Sequence, residues 1–138
     1  MSRRSRGREV ALQLLFQREH NAKIDRAAIE QFAQDRLRHP EIRAFCLALY
    51  DGVVAHLKEI DERLTAAAEN WRVARMPTVD RNVLRLGAYE LLYLPETPAA
   101  VAFDEAIELA RRYGSAESSA FVNGVLDRIR REAAAPPA

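Results

Sequence analysis

Residues 78–94, with the sequence TVDRNVLRLGAYELLYL, decide the fold class of this protein. Apolar side chains recur in this stretch at spacings of three and four residues, which is the periodicity of an α-helix. They cover much of the circumference of that helix, as Val79, Val83, Leu84 and Leu91 illustrate. A helix that is apolar on so many sides is predicted to lie deep inside the core.

The rest of the chain repeats the spacing of three and four, and no segment alternates with a period of two long enough to predict a strand. We therefore predict an all-α protein of about six or seven helices, which forms one domain over residues 1–138. The best boundary between two parts of that domain is predicted at residues 70–78. Residues 133–138, which carry Pro136 and Pro137, are predicted to be a frayed tail.

Helix ends are predicted from residues that satisfy the free backbone groups there. The first helix is expected at about residues 5–19, the second after Asp25 as its N-cap, and the third from Pro40. The third helix is expected to bend or break before Asn70. The other expected caps are the N-caps Thr78 and Thr97 and the C-terminal cap Gly114.

Composition argues against disordered, disulfide-rich and membrane-spanning classes of protein. The chain has 138 residues, of which 49% are hydrophobic and 30% are charged, so one folded domain is expected and wholesale disorder is excluded. The single cysteine, Cys46, excludes an internal disulfide framework and fits a cytoplasmic location. No apolar run approaches the roughly 20 residues that a membrane span needs, so no membrane association is expected.

The net charge of +1 hides a basic N-terminus. Arg3, Arg4, Arg6 and Arg8 fall within the first eight residues, where there is no acid. Without those four, 17 basic residues face 20 acidic ones, so the rest of the chain is mildly acidic. This asymmetry indicates an anionic partner at one place. The alternative is a disordered basic tail without a specific ligand.

Residues for catalysis or metal binding are scarce. His20, His39 and His56 lie far apart and lack the spacing of metal ligands. Cys46 lies on an apolar helix face, which favours a buried, inert thiol. There is no glycine-rich phosphate loop. We therefore predict that the protein is not an enzyme and has no cofactor, no metal and no catalytic residue.

A second candidate for ligand binding lies at residues 114–124, GSAESSAFVNG, where small polar residues precede a helix. Helix N-termini attract anions, Phe121 is suited to stack on a base, and Asn123 is suited to hydrogen-bond to a base edge. The alternative is structural: the serines cap the helix and Phe121 packs inward.

Four segments resemble the NusB family of transcription antitermination factors over nearly the whole chain. The first is the arginine-rich start, which runs into REVALQLL at residues 8–15. The second is Asn70-Trp71 followed by VDRNVLRLGAYELL at 79–92. The third is PAAVAFDEAIELA at 98–110, and the fourth is FVNGVLD at 121–127. Their order and spacing make the resemblance specific.

The resemblance implies an all-helical fold of two abutting subdomains and no catalysis. It also implies binding of boxA-type single-stranded RNA together with ribosomal protein S10, which is also called NusE. Within an RNA polymerase antitermination complex, the pair is expected to promote read-through during ribosomal RNA transcription.

The residue roles of the family transfer to matching positions. The implied RNA-binding residues, with Asn123 added for its chemistry, are Arg3, Arg4, Arg6, Arg8, Glu117, Phe121 and Asn123. The implied S10-binding residues are Asp80 and its neighbour Arg81. Trp71 is expected to belong to the core and to pack across the boundary at 70–78.

Two other functions are compatible with the sequence. One is an RNA-recognition module like the N-terminal domain of some ribosomal RNA cytosine methyltransferases, although the 11 residues after Asp127 leave no room for a cofactor-binding sheet. The other is a homodimeric interaction protein whose RNA-binding face is buried between two copies.

Overall fold

The computed structural model describes residues 2–69 and 71–134, and within these ranges it is all-helical, without strands. The prediction of an all-α fold with six or seven helices is confirmed. The helices are α1 (Arg3–His20), α2 (Arg26–Arg36), α3 (Pro40–Ala55), α4 (Leu57–Ala67), α5 (Thr78–Tyr93), α6 (Ala99–Tyr113) and α7 (Ser118–Ala134). One turn of 3₁₀ helix, Val73–Arg75, lies between α4 and α5.

The chain divides into two compact units, and the first is Met1–Ala55. Here α1 packs along α3, with α2 beside both helices. The apolar faces of these helices are buried, as Val10, Leu14 and Leu49 illustrate. Gly7 allows the close approach of α1 to α3, because a Cβ atom at this position would lie 3.1 Å from Cδ2 of Phe45.

The second unit, His56–Ala138, is built around α5, which packs against α4, α6 and α7. Eight residues of α5 are buried, so the predicted deep position of this helix is confirmed. Gly87 lies where α5 meets α7, since a Cβ atom there would come within 2.8 Å of Cδ1 of Leu126.

The boundary between the units differs from the prediction. It lies between Ala55 and His56 rather than at 70–78. The long helix that was expected from Pro40 ends at Ala55, and α4 begins at Leu57 with its own buried face. Since that face packs against α5 and α7, α4 belongs to the second unit, and residues 71–78 connect two helices of the same unit.

Some helix ends match the prediction and others do not. Asp25 caps α2, because its side chain accepts from the backbone N–H of Ala27 at 3.1 Å. The N-cap positions of α5 and α6 are Pro77 and Pro98, one residue from each predicted threonine, and Thr78 instead accepts a hydrogen bond from Arg81. Helix α7 continues to Ala134 into the predicted frayed tail, and residues 135–138 lie outside the described part.

Gly114 is the C-terminal cap of α6, as predicted, but its backbone is extended rather than left-handed. The need for glycine here is steric. A Cβ atom would lie 2.4 Å from Oγ of Ser118 and 2.7 Å from the carbonyl oxygen of Ala110. The absence of a side chain therefore lets the start of α7 pack onto the end of α6.

Candidate nucleic-acid interface

The arginine-rich segment forms the first turns of α1 instead of a loose tail. The side chain of Ser2 accepts from the backbone N–H of Ser5 at 3.1 Å and caps the helix. There is no acidic residue in the first turn, which already carries the positive end of the helix dipole. Positive charge is thus concentrated at one helix end, where an anionic ligand would be stabilised.

Three of the four arginines in this segment reach the surface. Arg3 lies 3.9 Å from the Glu41 carboxylate, and both side chains are 65% exposed, so this ion pair is weak. Arg4 is exposed, with its Cζ 4.4 Å from the centroid of the Phe45 ring. Arg6 is half-buried and forms an ion pair with Glu9 one turn along the helix.

Arg8 does not join this surface. The residue is only 4% exposed, and its Cζ lies 5.2 Å from the Phe45 ring centroid. It follows Arg4 by one helical turn, so it lies on the side of α1 that packs against α3. The structure therefore gives Arg8 a packing role in place of the predicted RNA contact.

The second predicted segment lies in the other unit, at the start of α7. Glu117 and Asn123 are exposed, and Phe121 is half-buried. Ser115 donates its hydroxyl to the Glu117 carboxylate at 3.2 Å. The Phe121 ring is therefore neither fully packed inward, as the structural alternative predicted, nor fully exposed to a base.

Trp71 accompanies Phe121, which the sequence did not indicate. The two ring centroids are 5.0 Å apart in an edge-to-face arrangement, and Trp71 is 41% exposed. The prediction that Trp71 belongs to the core is wrong. The indole lies in the connection before α5, where the neighbouring residues Arg72, Ala74 and Arg75 are also exposed.

A groove of about 260 Å³ adjoins Phe121 between the end of α4 and α7. Arg128 at its edge donates to the Glu69 carboxylate at 2.7 Å and to the carbonyl oxygen of Ala67 at 3.1 Å. At Gly124 nothing lies within 4 Å of a Cβ position, so the groove is open there. The exposed Trp71, the half-buried Phe121 and the guanidinium of Arg128 therefore lie in the same unit, around this groove.

The residues predicted to bind S10 are tied into their own unit. Asp80 is 5% exposed and accepts a hydrogen bond from the Ser118 hydroxyl at 2.7 Å. Arg81 is half-buried and donates to the carbonyl oxygen of Met76 at 2.6 Å and to the Thr78 hydroxyl at 3.3 Å. Asp80 is thus not a surface acid, and both side chains fix the start of α5.

The single cysteine and the three histidines are the residues to consider first for metal binding or catalysis. In residues 2–69 and 71–134, no three His, Cys, Asp or Glu side chains are grouped to hold a metal ion. Burial raises the pKa of the Cys46 thiol to about 12, which keeps it protonated. His56 stacks on Tyr93 with ring centroids 4.0 Å apart, and burial raises the pKa of the neighbouring Tyr89 hydroxyl.

None of the described helices is both long enough and apolar enough to cross a bilayer.

Comparison with known proteins gives one consistent result. The family model described as "NusB family" matches residues 5–131. The transcription antitermination protein NusB of Sorangium cellulosum is 52% identical over 129 residues, which cover 94% of this chain and 92% of that protein. The NusB protein of Myxococcus xanthus is 44% identical over 133 residues, with 94% of this chain and 95% of that protein covered.

Solved structures agree with these relatives. Thermotoga NusB, described as "T. maritima NusB", superposes with a TM-score of 0.83 at 38% identity and covers 96% of this chain and 92% of its own. A crystal structure of the antitermination factors NusB and NusE in complex with dsRNA has a TM-score of 0.86 at 25% identity, covering 96% and 98%. Because the family model matches residues 5–131 and two NusB relatives are 52% and 44% identical over 94% of the chain, the chain belongs to the NusB family.

Proposed function

We propose that this protein is a non-enzymatic transcription antitermination factor of the cytoplasm that binds boxA-type single-stranded RNA together with ribosomal protein S10. The observation that carries the proposal is the similarity of fold and length to a NusB that was crystallised with NusE and RNA. The relatives with the same length are named as antitermination proteins, and none of those names describes an enzyme.

Sequence-independent attraction to RNA comes from the start of α1 in this proposal. Arg3, Arg4 and Arg6 present guanidinium groups, which form paired hydrogen bonds to phosphate oxygens. If each group neutralises one phosphate, log K falls with log salt with a slope of about −2, since each phosphate of a single strand contributes about −0.7. Arg8 is left out of this sum because it is buried.

Base recognition is assigned to the start of α7. Unstacked bases of single-stranded RNA bind to aromatic rings, and the exposed Trp71 with the half-buried Phe121 supplies such a pair. Asn123 is exposed and has an amide that both donates to and accepts from a base edge. Glu117 repels phosphate but accepts from an exocyclic amine, so it favours a base over the backbone at its position.

In this proposal, S10 binding does not depend on a single exposed acid, because Asp80 is buried. Asp80 and Arg81 hold the start of α5 in shape through bonds within the same unit. We therefore assign them a positioning role in S10 binding. RNA and S10 are expected to increase each other's affinity by the same factor.

A reconstituted transcription reaction tests this function. The template carries a boxA sequence upstream of a terminator, and the reaction contains RNA polymerase, S10 and the other antitermination proteins of a bacterial system. We expect this protein to increase the fraction of full-length transcript, and a triple variant, Arg3→Gln/Arg4→Gln/Arg6→Gln, to lose most of that increase. Equal read-through with and without the protein would contradict the proposal.

The coverage of the relatives favours antitermination over the methyltransferase alternative. This chain covers 92% and 95% of the two bacterial NusB proteins, which are therefore not longer proteins with an added enzyme domain. The homodimer stays a prediction, and light scattering with and without RNA tests it.

A further inference from the structure

A basic pocket lies in the first unit, beside the segment already assigned to RNA. It has a volume of about 220 Å³ and is lined by four arginines: Arg3 and Arg6 from α1, Arg36 from the last turn of α2, and Arg38 from the connection to α3. Leu37 forms part of the apolar lining. About thirty residues of sequence separate the two arginines of α1 from Arg36 and Arg38, and the packing of α1 against α2 and α3 brings them together.

The backbone around Leu37 explains how Arg36 and Arg38 come to line the same pocket. Leu37 is buried and extended, with φ −122° and ψ 117°. It is fixed at both backbone groups, since its N–H donates to Ala33 at 2.9 Å and its carbonyl accepts from Arg43 at 3.2 Å. Neighbours of a buried extended residue point away from it, so Arg36 and Arg38 are both directed to the surface.

The positive charge of the pocket is only partly neutralised. Arg3 and Arg6 each have a carboxylate partner, Glu41 and Glu9. Across the part of the chain that the structure describes, neither Arg36 nor Arg38 forms an ion pair. The pocket therefore keeps a surplus of about two positive charges.

Arg36 is held in place without losing its charge. Its Cζ lies 3.4 Å from the centroid of the Phe32 ring, and one of its amino groups donates to the carbonyl oxygen of Phe32 at 3.3 Å. This contact covers one face of the Phe32 ring, and Phe32 does not line the pocket. Ser2 and His39 complete the polar lining, so guanidinium, hydroxyl and imidazole groups lie beside apolar residues, which fits a phosphate with its ribose.

We propose that this pocket binds the sugar–phosphate backbone of single-stranded RNA, so that Arg36 and Arg38 extend the RNA-binding surface beyond α1. The proposal rests on the function proposed above and adds a second contact segment, the connection between α2 and α3. Because the pocket holds backbone and not base, it adds affinity at every RNA sequence and adds no sequence preference.

The test is the double variant Arg36→Gln/Arg38→Gln, with Lys23→Gln/Lys58→Gln as the matched control. The control removes the same two charges from exposed positions that do not line the pocket. Binding of a fluorescent boxA-type RNA is followed by anisotropy in the presence of saturating S10, from 50 to 200 mM salt. We expect the Arg36/Arg38 variant to bind about three- to tenfold more weakly at 50 mM salt, with a salt slope shallower by about 0.7 to 1.4.

Two further variants make the result specific. Arg38→Lys keeps the charge and is expected to recover most of the affinity. Arg38→Gln alone is expected to lower log K by about half as much as the double variant does. A scrambled RNA should lose affinity by the same factor as boxA-type RNA in the double variant, because the contact is to backbone. Circular dichroism confirms that each variant is folded.

The outcomes separate this inference from the proposed function. If the wild-type protein binds no RNA with S10, the proposed function fails. If the wild type binds but the Arg36/Arg38 variant matches the lysine control in Kd and in salt slope, the pocket is not an RNA contact and only this inference is overturned. Loss of affinity for boxA-type RNA alone would also overturn it, since that result indicates base recognition.

Discussion

At the scale of single residues, the exposed tryptophan gives the protein a built-in reporter. Trp71 is the only tryptophan in the sequence, it is 41% exposed, and its ring meets Phe121 edge to face. Stacking of a base on this pair is worth about 1–3 kcal/mol. The aromatic contact therefore lets the proposed base platform be tested without an attached label.

We predict that boxA-type RNA quenches the fluorescence of Trp71 and that Phe121→Ala weakens RNA binding by about tenfold. The quench should saturate at the same RNA concentration as the anisotropy signal of labelled RNA. Phe103→Leu, which changes a ring on α6, is the control and should leave the quench intact. RNA binding by anisotropy with no change in Trp71 emission would exclude this surface.

The thiol of Cys46 allows a prediction about pH. Burial raises its pKa from 9.0 to about 12, so the folded state favours the neutral thiol. The stability that this group contributes is complete below pH 9 and is lost as pH rises from 9 towards 12. At pH 8 we expect iodoacetamide to modify the folded protein more than about a hundredfold more slowly than the unfolded protein, because the thiolate is the reactive form. Mass spectrometry of timed samples measures both rates, and equal rates would contradict the buried position.

The wrong predictions about Arg8, Asp80 and Trp71 share one cause. The resemblance assigned Arg8 and Asp80 to surfaces, and the apolar character of Trp71 placed it in the core. Sequence identifies which residue types bind RNA or avoid water, but exposure depends on which helix face meets a neighbour. Arg8 is buried because α3 covers its side of α1, and Trp71 is exposed although Val73 and Met76 of the same connection are buried.

At the scale of helices and their contacts, Gly7 sets the distance between α1 and α3. We predict that Gly7→Val lowers the free energy of unfolding by about 1–3 kcal/mol, since a Cβ atom there already lies 3.1 Å from Phe45 and 3.2 Å from Ile42, closer than ordinary van der Waals contact. The displacement of α1 should also weaken RNA binding. Gly124→Ala is the control, because nothing lies within 4 Å of that Cβ position and alanine favours a helix. Urea denaturation measures both variants, and a Gly7→Val protein as stable as wild type would contradict the packing.

The bond between Asp80 and Ser118 joins the starts of α5 and α7. We predict that Asp80→Ala lowers the free energy of unfolding by about 1–3 kcal/mol, because it removes a buried acceptor. Asp80→Asn keeps an acceptor for the Ser118 hydroxyl and should cost less. A positioning role also predicts that Asp80→Asn binds S10 within about twofold of wild type. If the Asn variant is fully stable but loses S10 binding, Asp80 contacts the partner directly.

The positions of the helices were the feature that the sequence predicted best. The periodicity of residues 78–94 predicted a buried α5, and Asp25 and Gly114 marked helix ends correctly, because these signals are local. The boundary between the units was not predicted. A helix with a continuous apolar face from Pro40 gives no local sign that it ends at Ala55, since the division depends on α4 packing against α5 and α7.

At the scale of the whole molecule, the two units are assigned different roles in RNA binding. The first unit carries the exposed arginines of α1 and the basic pocket, and the second carries the aromatic pair and the fixed start of α5. Backbone attraction and base recognition are thus assigned to different parts of the chain.

The most direct test of the central claim is the affinity for labelled boxA-type RNA, measured by anisotropy with and without saturating S10 and repeated with a scrambled RNA. We predict that S10 tightens binding to boxA-type RNA by at least tenfold, which corresponds to about 1.4 kcal/mol of coupling, and that scrambling removes this gain. Equal affinity for both RNAs, with no effect of S10, would contradict the account and reduce the arginines of α1 to a general binder of phosphate.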